Sequence, residues 1–165
     1  NNAYAVYSLG YAQFKQLKYN AAIAQFQKVV SLPDASRTMK ADAYNRVGDC
    51  FLNMRSYDEA VANYTKAKET DRTLGDYSML QQAYIEGLRG NYDKKVEIIN
   101  QMNEEYAGSS LAAQALYEQG RAHVLSGRVD EAAAVFGDIA LRYPNSEYAK
   151  KASDELTNMA TNITI

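Results

Sequence analysis

The chain repeats itself four times, and this self-similarity restricts its fold more than any other feature. Tyr7-Ser8-Leu9-Gly10, Asn45-Arg46-Val47-Gly48, Leu80-Gln81-Gln82-Ala83 and Tyr117-Glu118-Gln119-Gly120 superimpose at successive offsets of 38, 35 and 37 residues. Nine residues beyond each Gly or Ala stands Tyr19, Tyr57, Tyr92 or Val129. Three further on come Ala22, Ala60, Lys95 and Ala132, and four more reach Phe26, Tyr64, Ile99 and Phe136. A period of this size marks a repeat architecture, in which one supersecondary unit recurs because it cannot bury its apolar face alone.

Each recurring position has a physical job. Gly10, Gly48, Ala83 and Gly120 fall in the middle of helical patterns, where glycine costs roughly 1 kcal/mol relative to alanine. A costly residue that returns in register points to close helix approach, with no room for a larger side chain. Ala22/Phe26/Val29, Ala60/Tyr64/Ala67 and Ala132/Phe136/Ile139 are spaced i, i+4, i+7 on one face of a second helix. Short turns separate the two helices: Gln16-Leu17-Lys18, Arg55-Ser56, Arg89-Gly90-Asn91 and Ser126-Gly127-Arg128. In them Gly90 and Gly127 suit the left-handed residue that ends many helices. Both prolines, Pro33 and Pro144, fall in connectors. Ser109 and Ser146 close two equivalent connectors and are N-cap candidates.

The pattern therefore predicts helix–turn–helix units over 3–34, 39–71, 75–106 and 109–144, with a further helix over 146–160, in one domain spanning 1–165. The last helix, rich in Lys, Ser, Asp and Asn, reads as a polar cap or as the first helix of a fifth unit. The first helix differs: Tyr4, Val6, Tyr7, Leu9, Tyr11 and Phe14 make it apolar on more than one face. We expect a repeat before residue 1, hence a segment of a longer protein, and self-association through this helix.

Composition narrows the function. Lys plus Arg is 18 and Asp plus Glu is 20, so the basic excess of a nucleic-acid binder is missing. No apolar run approaches the ~20 residues that span a bilayer, and no membrane insertion is expected. The single cysteine, Cys50, can form neither an internal disulfide nor a paired-cysteine metal site, and reads as a small buried hydrophobe. The single histidine, His123, three residues after Gly120, reads as a packed imidazole. Asp58-Glu59 and Asp130-Glu131 open second helices, where acidic side chains favour the helix N-terminus. Metal-ligand clusters, phosphate-cradling glycine loops and nucleophile elbows are missing from the sequence, so neither catalysis nor a cofactor is expected. Asn63-Tyr64-Thr65 and Asn162-Ile163-Thr164 match the glycosylation pattern.

Leu9-Gly10…Phe14…Tyr19…Ala22…Phe26…Pro33 and Gly120…Gly127…Ala132…Phe136…Pro144 resemble the tetratricopeptide repeat family, and the resemblance covers nearly the whole chain. The third unit departs most: Ala83 replaces Gly, Glu86 stands at an aromatic position, and Lys95 replaces the small Ala. The long period and the Tyr143-Pro144-Asn145-Ser146 connector look like the variant found in bacterial cell-envelope proteins. The resemblance implies an all-α, right-handed superhelical solenoid of antiparallel helix pairs, and a periplasmic or envelope-associated location.

It also implies a groove lined by the first helix of each unit. Carried onto this sequence, the lining is Tyr4, Tyr7, Tyr11, Phe14 and Lys15, then Asp42, Asn45, Asp49, Leu52 and Asn53. The later units add Tyr77, Leu80, Tyr84, Gly87 and Leu88, then Gln114, Tyr117, Arg121, Val124 and Leu125. The function implied is a non-catalytic scaffold that accepts a peptide or helix from a protein partner. Two alternatives use the same residues: a glycan- or cell-wall-binding module whose tyrosines stack on sugars, and a spacer within a longer superhelix.

Overall fold

The computed structural model describes residues 2–164, with side chains described through residue 161. Among the described residues there are nine α-helices and no strand. They are α1 (Ala3–Lys15), α2 (Tyr19–Ser31), α3 (Arg37–Asn53), α4 (Tyr57–Thr70), α5 (Gly75–Leu88), α6 (Tyr92–Glu105), α7 (Ala112–Leu125), α8 (Val129–Arg142) and α9 (Glu147–Thr164). A single 3-10 turn, Arg72–Leu74, precedes α5. The predicted pairs are all present, and the last helix runs four residues beyond its expected end. The helices form two compact units, Asn1–Ile85 and Glu86–Ile165.

The four intra-repeat turns share one backbone solution. The amide of Lys18 donates to the Gln13 carbonyl at 2.9 Å, and those of Ser56, Asn91 and Arg128 donate to Phe51, Glu86 and His123 at 2.8 Å. These are the six-residue bonds of a Schellman ending, which needs a left-handed residue one position earlier. Gly90 and Gly127 supply it with φ of +80°, as their sequence predicts. In the first two units Leu17 (φ 63°) and Arg55 (φ 61°) take the same conformation at a steric cost that glycine avoids. Ser36 caps α3 by accepting from Met39 at 3.0 Å. Ser146 accepts from Tyr148 at 2.9 Å just before α9. Ser109 accepts from Leu111 at 3.0 Å in a turn, because α7 starts two residues later than its N-cap assignment requires.

In the first unit, Ala3 and Val6 of α1, Ala22, Ile23, Phe26 and Val29 of α2, and Ala43, Val47 and Cys50 of α3 form one core. Ala60 and Tyr64 of α4 pack with Ile85 of α5 in a second. The recurring glycines sit beneath the recurring rings. A Cβ on Gly10 would lie 2.9 Å from the Phe26 ring, and one on Gly48 would lie 2.5 Å from Tyr64. Two connector carboxylates close their own repeats: Asp34 accepts from the Ala3 amide at 2.9 Å, and Asp71 from the Thr38 hydroxyl at 2.7 Å.

In the second unit Phe136 occupies the equivalent place over Gly120, more tightly still. Leu116, Ala132, Phe136, Ile139, Ala149 and Ala152 join α7, α8 and α9 in a common core. The irregular third repeat is accommodated differently. Lys95 is 5% exposed, and its Nζ meets Glu118 Oε1 of α7 at 2.8 Å. Room for its stem comes from Gly87, where a Cβ would stand 2.9 Å from Lys95 Cδ. A buried ion pair and a displaced glycine thus take over what small residues do elsewhere.

The same substitution should act with opposite sign at two helical glycines. Gly48→Ala forces a methyl into the Tyr64 ring and should destabilise by roughly 1–3 kcal/mol. Gly137→Ala meets no atom within 4 Å and should stabilise by roughly 0.5–1 kcal/mol. Urea denaturation of both variants tests this, and equal effects would refute the close-approach explanation.

Candidate functional site

In the first unit, the first helices of successive repeats are joined by a row of phenols, carboxylates and one guanidinium. Tyr7 and Tyr11 of α1 both donate their hydroxyls to Asp42 Oδ2 of α3. One turn along α3, Arg46 Nη1 lies 2.8 Å from Asp49 Oδ2, while its Nε is 3.8 Å from Asp42 Oδ1. Asp49 also accepts from Tyr64 of α4 at 2.5 Å and from Tyr77 of α5 at 2.8 and 2.9 Å. The Arg46 guanidinium sits 4.8 Å from the centre of the Tyr77 ring, in cation–π range. Beside them Ser78 donates to Asn45 Oδ1 at 2.8 Å.

Helical spacing produces this row. Asp42, Arg46 and Asp49 are i, i+4 and i+7 on α3, and Tyr7 and Tyr11 are i, i+4 on α1. Burial then fixes the protonation states. It pushes the Tyr7 phenol up to about 12, helped by its bond to Asp42, and raises Tyr11, Tyr64 and Tyr77 as well, so all four remain donors. Burial alone would depress Arg46, but Asp49, Tyr77, Tyr11 and Asp42 together outweigh it and the guanidinium stays protonated. Burial raises the Asp49 carboxyl, against the opposing pull of Arg46 and the two phenols.

The groove residues expected in this unit fall into three groups. Asn45, Asp49 and Leu80 are buried beneath the surface, where they hold neighbouring helices and do not face solvent. Tyr7, Tyr11, Leu52 and Tyr77 are half-buried, with the three phenols spent on carboxylates. Asn53 and Tyr84 are exposed, as is Tyr4 at 71%. In the second unit Leu88 and Arg121 are exposed, and Tyr117 is half-buried. There Tyr117 and Arg121 both reach Glu155 of α9, at 3.3 and 3.5 Å. The Tyr117 ring lies 5.7 Å from that of Tyr148.

Other singled-out residues are structural. Cys50 is fully buried, and burial pushes its thiol up to about 12, far from a reactive thiolate. Asn63 lies within α4, donating to the Glu59 carbonyl, and its neighbour Tyr64 is fully buried, so that glycosylation pattern is closed in the folded chain. The Asn162 pattern lies outside the residues with described side chains. Among the described residues no group of three or more His, Cys, Asp or Glu side chains is placed to hold a metal ion. None of the described helices is long and apolar enough to cross a membrane.

Two family models, both described as tetratricopeptide repeat, match this chain: one at residues 4–35 and 114–146, the other at 41–74, together more than half its length. The chain belongs to the tetratricopeptide repeat family. Solved structures agree on the fold. A tetratricopeptide repeat protein from Parabacteroides merdae is 17% identical with a TM-score of 0.76, the match covering 97% of this chain and 60% of that one. MamA protein is 21% identical with a TM-score of 0.69, covering 93% and 76%. The N-terminal domain of stress-induced protein-1 from C. elegans is 19% identical with a TM-score of 0.62, covering 72% and 96%. The search of curated protein sequences found no match. The fold class is an all-α helical-repeat solenoid, of a kind that typically serves as an interaction scaffold.

Within this tetratricopeptide repeat chain, Arg46 is the site residue that sequence reasoning passed over. The signal was present: Asp42 and Asp49 flank it at helical spacing on the face that carries the tyrosines. Asp49→Asn should cost about 3 kcal/mol, because it removes the short ion pair of the largely buried Arg46 and leaves only the 3.8 Å contact with Asp42. A urea-melt loss below about 1 kcal/mol would show that solvent compensates the pair.

His123 offers a pH test in the second unit. It is 9% exposed, and its Nδ1 accepts from Arg128 Nε at 3.0 Å, while Arg128 Nη1 holds Asp93 at 2.7 Å. Burial and the Arg128 charge hold its pKa below the ordinary 6.5. The unfolded chain therefore takes up a proton that the folded chain refuses, and stability should fall as pH drops below about 6.5. His123→Gln should flatten that slope, measured as thermal midpoint against pH. An unchanged slope would place the acid sensitivity elsewhere.

Proposed function

We propose that this chain is a non-catalytic protein-interaction scaffold, and that the face of α1, α3 and α5 in its first unit receives a peptide or helical segment of a protein partner. The observation that supports this is the row Tyr7–Asp42–Arg46–Asp49–Tyr77. By fixing each phenol to a carboxylate on a neighbouring first helix, it holds aromatic rings in place before any partner arrives. An immobilised surface loses little side-chain freedom on binding, which leaves more of the contact energy as affinity. Tyrosine suits the purpose because its ring contributes a large apolar contact while its hydroxyl is already satisfied. Tyr84, Asn53 and Tyr4 are among the groups that reach solvent from this face. In the second unit Tyr117 and Arg121 offer a contact of the same chemistry.

Tyr84→Ala is the discriminating variant, since Tyr84 is exposed and its removal leaves the carboxylate row intact. Crosslinked capture from envelope and cytosolic fractions of the native organism should yield a partner that the wild type retains and Tyr84→Ala loses by at least about tenfold. Equal retention by both proteins, with helical content unchanged, would overturn the assignment of this face.

A further inference from the structure

The two first-helix junctions of the first unit carry the same parts with their chemistry exchanged. At the junction of α3 with α5, two acids on α3 (Asp42, Asp49) flank Arg46, and the following helix contributes the ring of Tyr77. At the junction of α1 with α3, the equivalent positions on α1 are Tyr4, Ser8 and Tyr11, and the following helix contributes Asp42. Rings and acids have traded places, and the residue equivalent to the guanidinium is a serine. Over that serine the structure has a concavity of about 380 Å³, lined by Tyr4, Tyr7, Ser8, Tyr11, Ala12 and Lys15.

We propose that this concavity is the seat of an arginine side chain from the partner segment. The proposal rests on the interaction reading above and names the chemistry that the face would recognise. Tyr7 and Tyr11 stand edge to face with centroids 4.9 Å apart, and both phenols donate to Asp42. Hydrogen-bonding to an anion makes a phenol ring more electron-rich, which strengthens its attraction for a cation over its π system, and both rings line the concavity. Asp42, behind the hydroxyls, accepts from both phenols but has the longer of the two Arg46 contacts: Arg46 makes its short ion pair with Asp49 and stays 3.8 Å from Asp42. A guanidinium over Ser8 would reproduce at the first junction what Arg46 does at the second. Its planar, weakly hydrated group suits stacking between rings better than an ammonium does. Lys15, which also lines the concavity, opposes it and is exposed.

The test uses N-acetylarginine methylamide as probe and N-acetylcitrulline methylamide as its uncharged isostere, read by NMR of the tyrosine rings. Saturable millimolar shifts of Tyr4, Tyr7 and Tyr11 are expected with arginine, about tenfold weaker with citrulline. Ser8→Arg, at an exposed position, should abolish the response by supplying the guanidinium internally, and Lys15→Ala should strengthen it. No shift, equal response to the two probes, or an undiminished response in Ser8→Arg would overturn the seat. If Tyr84→Ala loses a captured partner while the arginine probe has no effect, the interaction reading stands and only the seat falls. An arginine response without Tyr84-dependent capture supports the seat and removes the wider reading.

Discussion

A ring lying on a glycine is the contact on which the rest of this chain depends. Phe26 over Gly10, Tyr64 over Gly48 and Phe136 over Gly120 bring the two helices of a repeat so close that a single methyl would collide. That closeness fixes the axial register of each pair, because the ring has only one place to go. Register in turn sets which residues of the first helix face the second and which are left for the neighbouring repeat. Interiors packed at crystal-like density do not tolerate a sliding helix, so the polar row on the first helices inherits its geometry from the ring contacts it adjoins: Tyr64 donates to Asp49, and Tyr7 and Tyr11 pack against Phe26.

The polar row adds specificity to what the rings stabilise. Aspartates taken out of water lose hydration that their partners only partly return, so such a network contributes less stability than its contact list suggests. What it does supply is direction. Asp49 accepts from Tyr64 of its own repeat and from Tyr77 of the next, and so couples the pairing within a repeat to the pairing between repeats. The second unit uses the same device with longer contacts, Tyr117 and Arg121 meeting at Glu155. Lys95 with Glu118 shows the alternative, in which the ion pair enters the core where a small residue would have stood.

Which of these features could be read from the sequence follows from their range. The small residue and the aromatic lie at fixed local spacing, so four copies reveal them, and Gly90 and Gly127 announce their turns by composition. Leu17 and Arg55 adopt the same left-handed conformation without any compositional mark, because the hydrogen bonds that close their turns, Lys18 to Gln13 and Ser56 to Phe51, require it there. Asp34 and Asp71 lie more than thirty residues from the groups they cap, a distance at which sequence pattern carries no geometric information. The tyrosines stand out in the sequence as a set, but their bonding state does not. Nothing local distinguishes a phenol free for a partner from one already bound to a carboxylate on the next helix.

That distinction changes what the face can recognise. A free phenol offers a donor and an acceptor to any polar ligand, whereas Tyr7, Tyr11 and Tyr77 have committed their protons to Asp42 and Asp49. What they still present is ring, held rigidly and made electron-rich by the acids behind it. On the proposed reading, selectivity at these rings would come from shape and from a ligand's positive charge, while Tyr4, Asn53 and Tyr84 keep polar groups at the surface. The carboxylates that appear in the sequence as an acidic middle of the groove act mainly from beneath it, through the rings they hold.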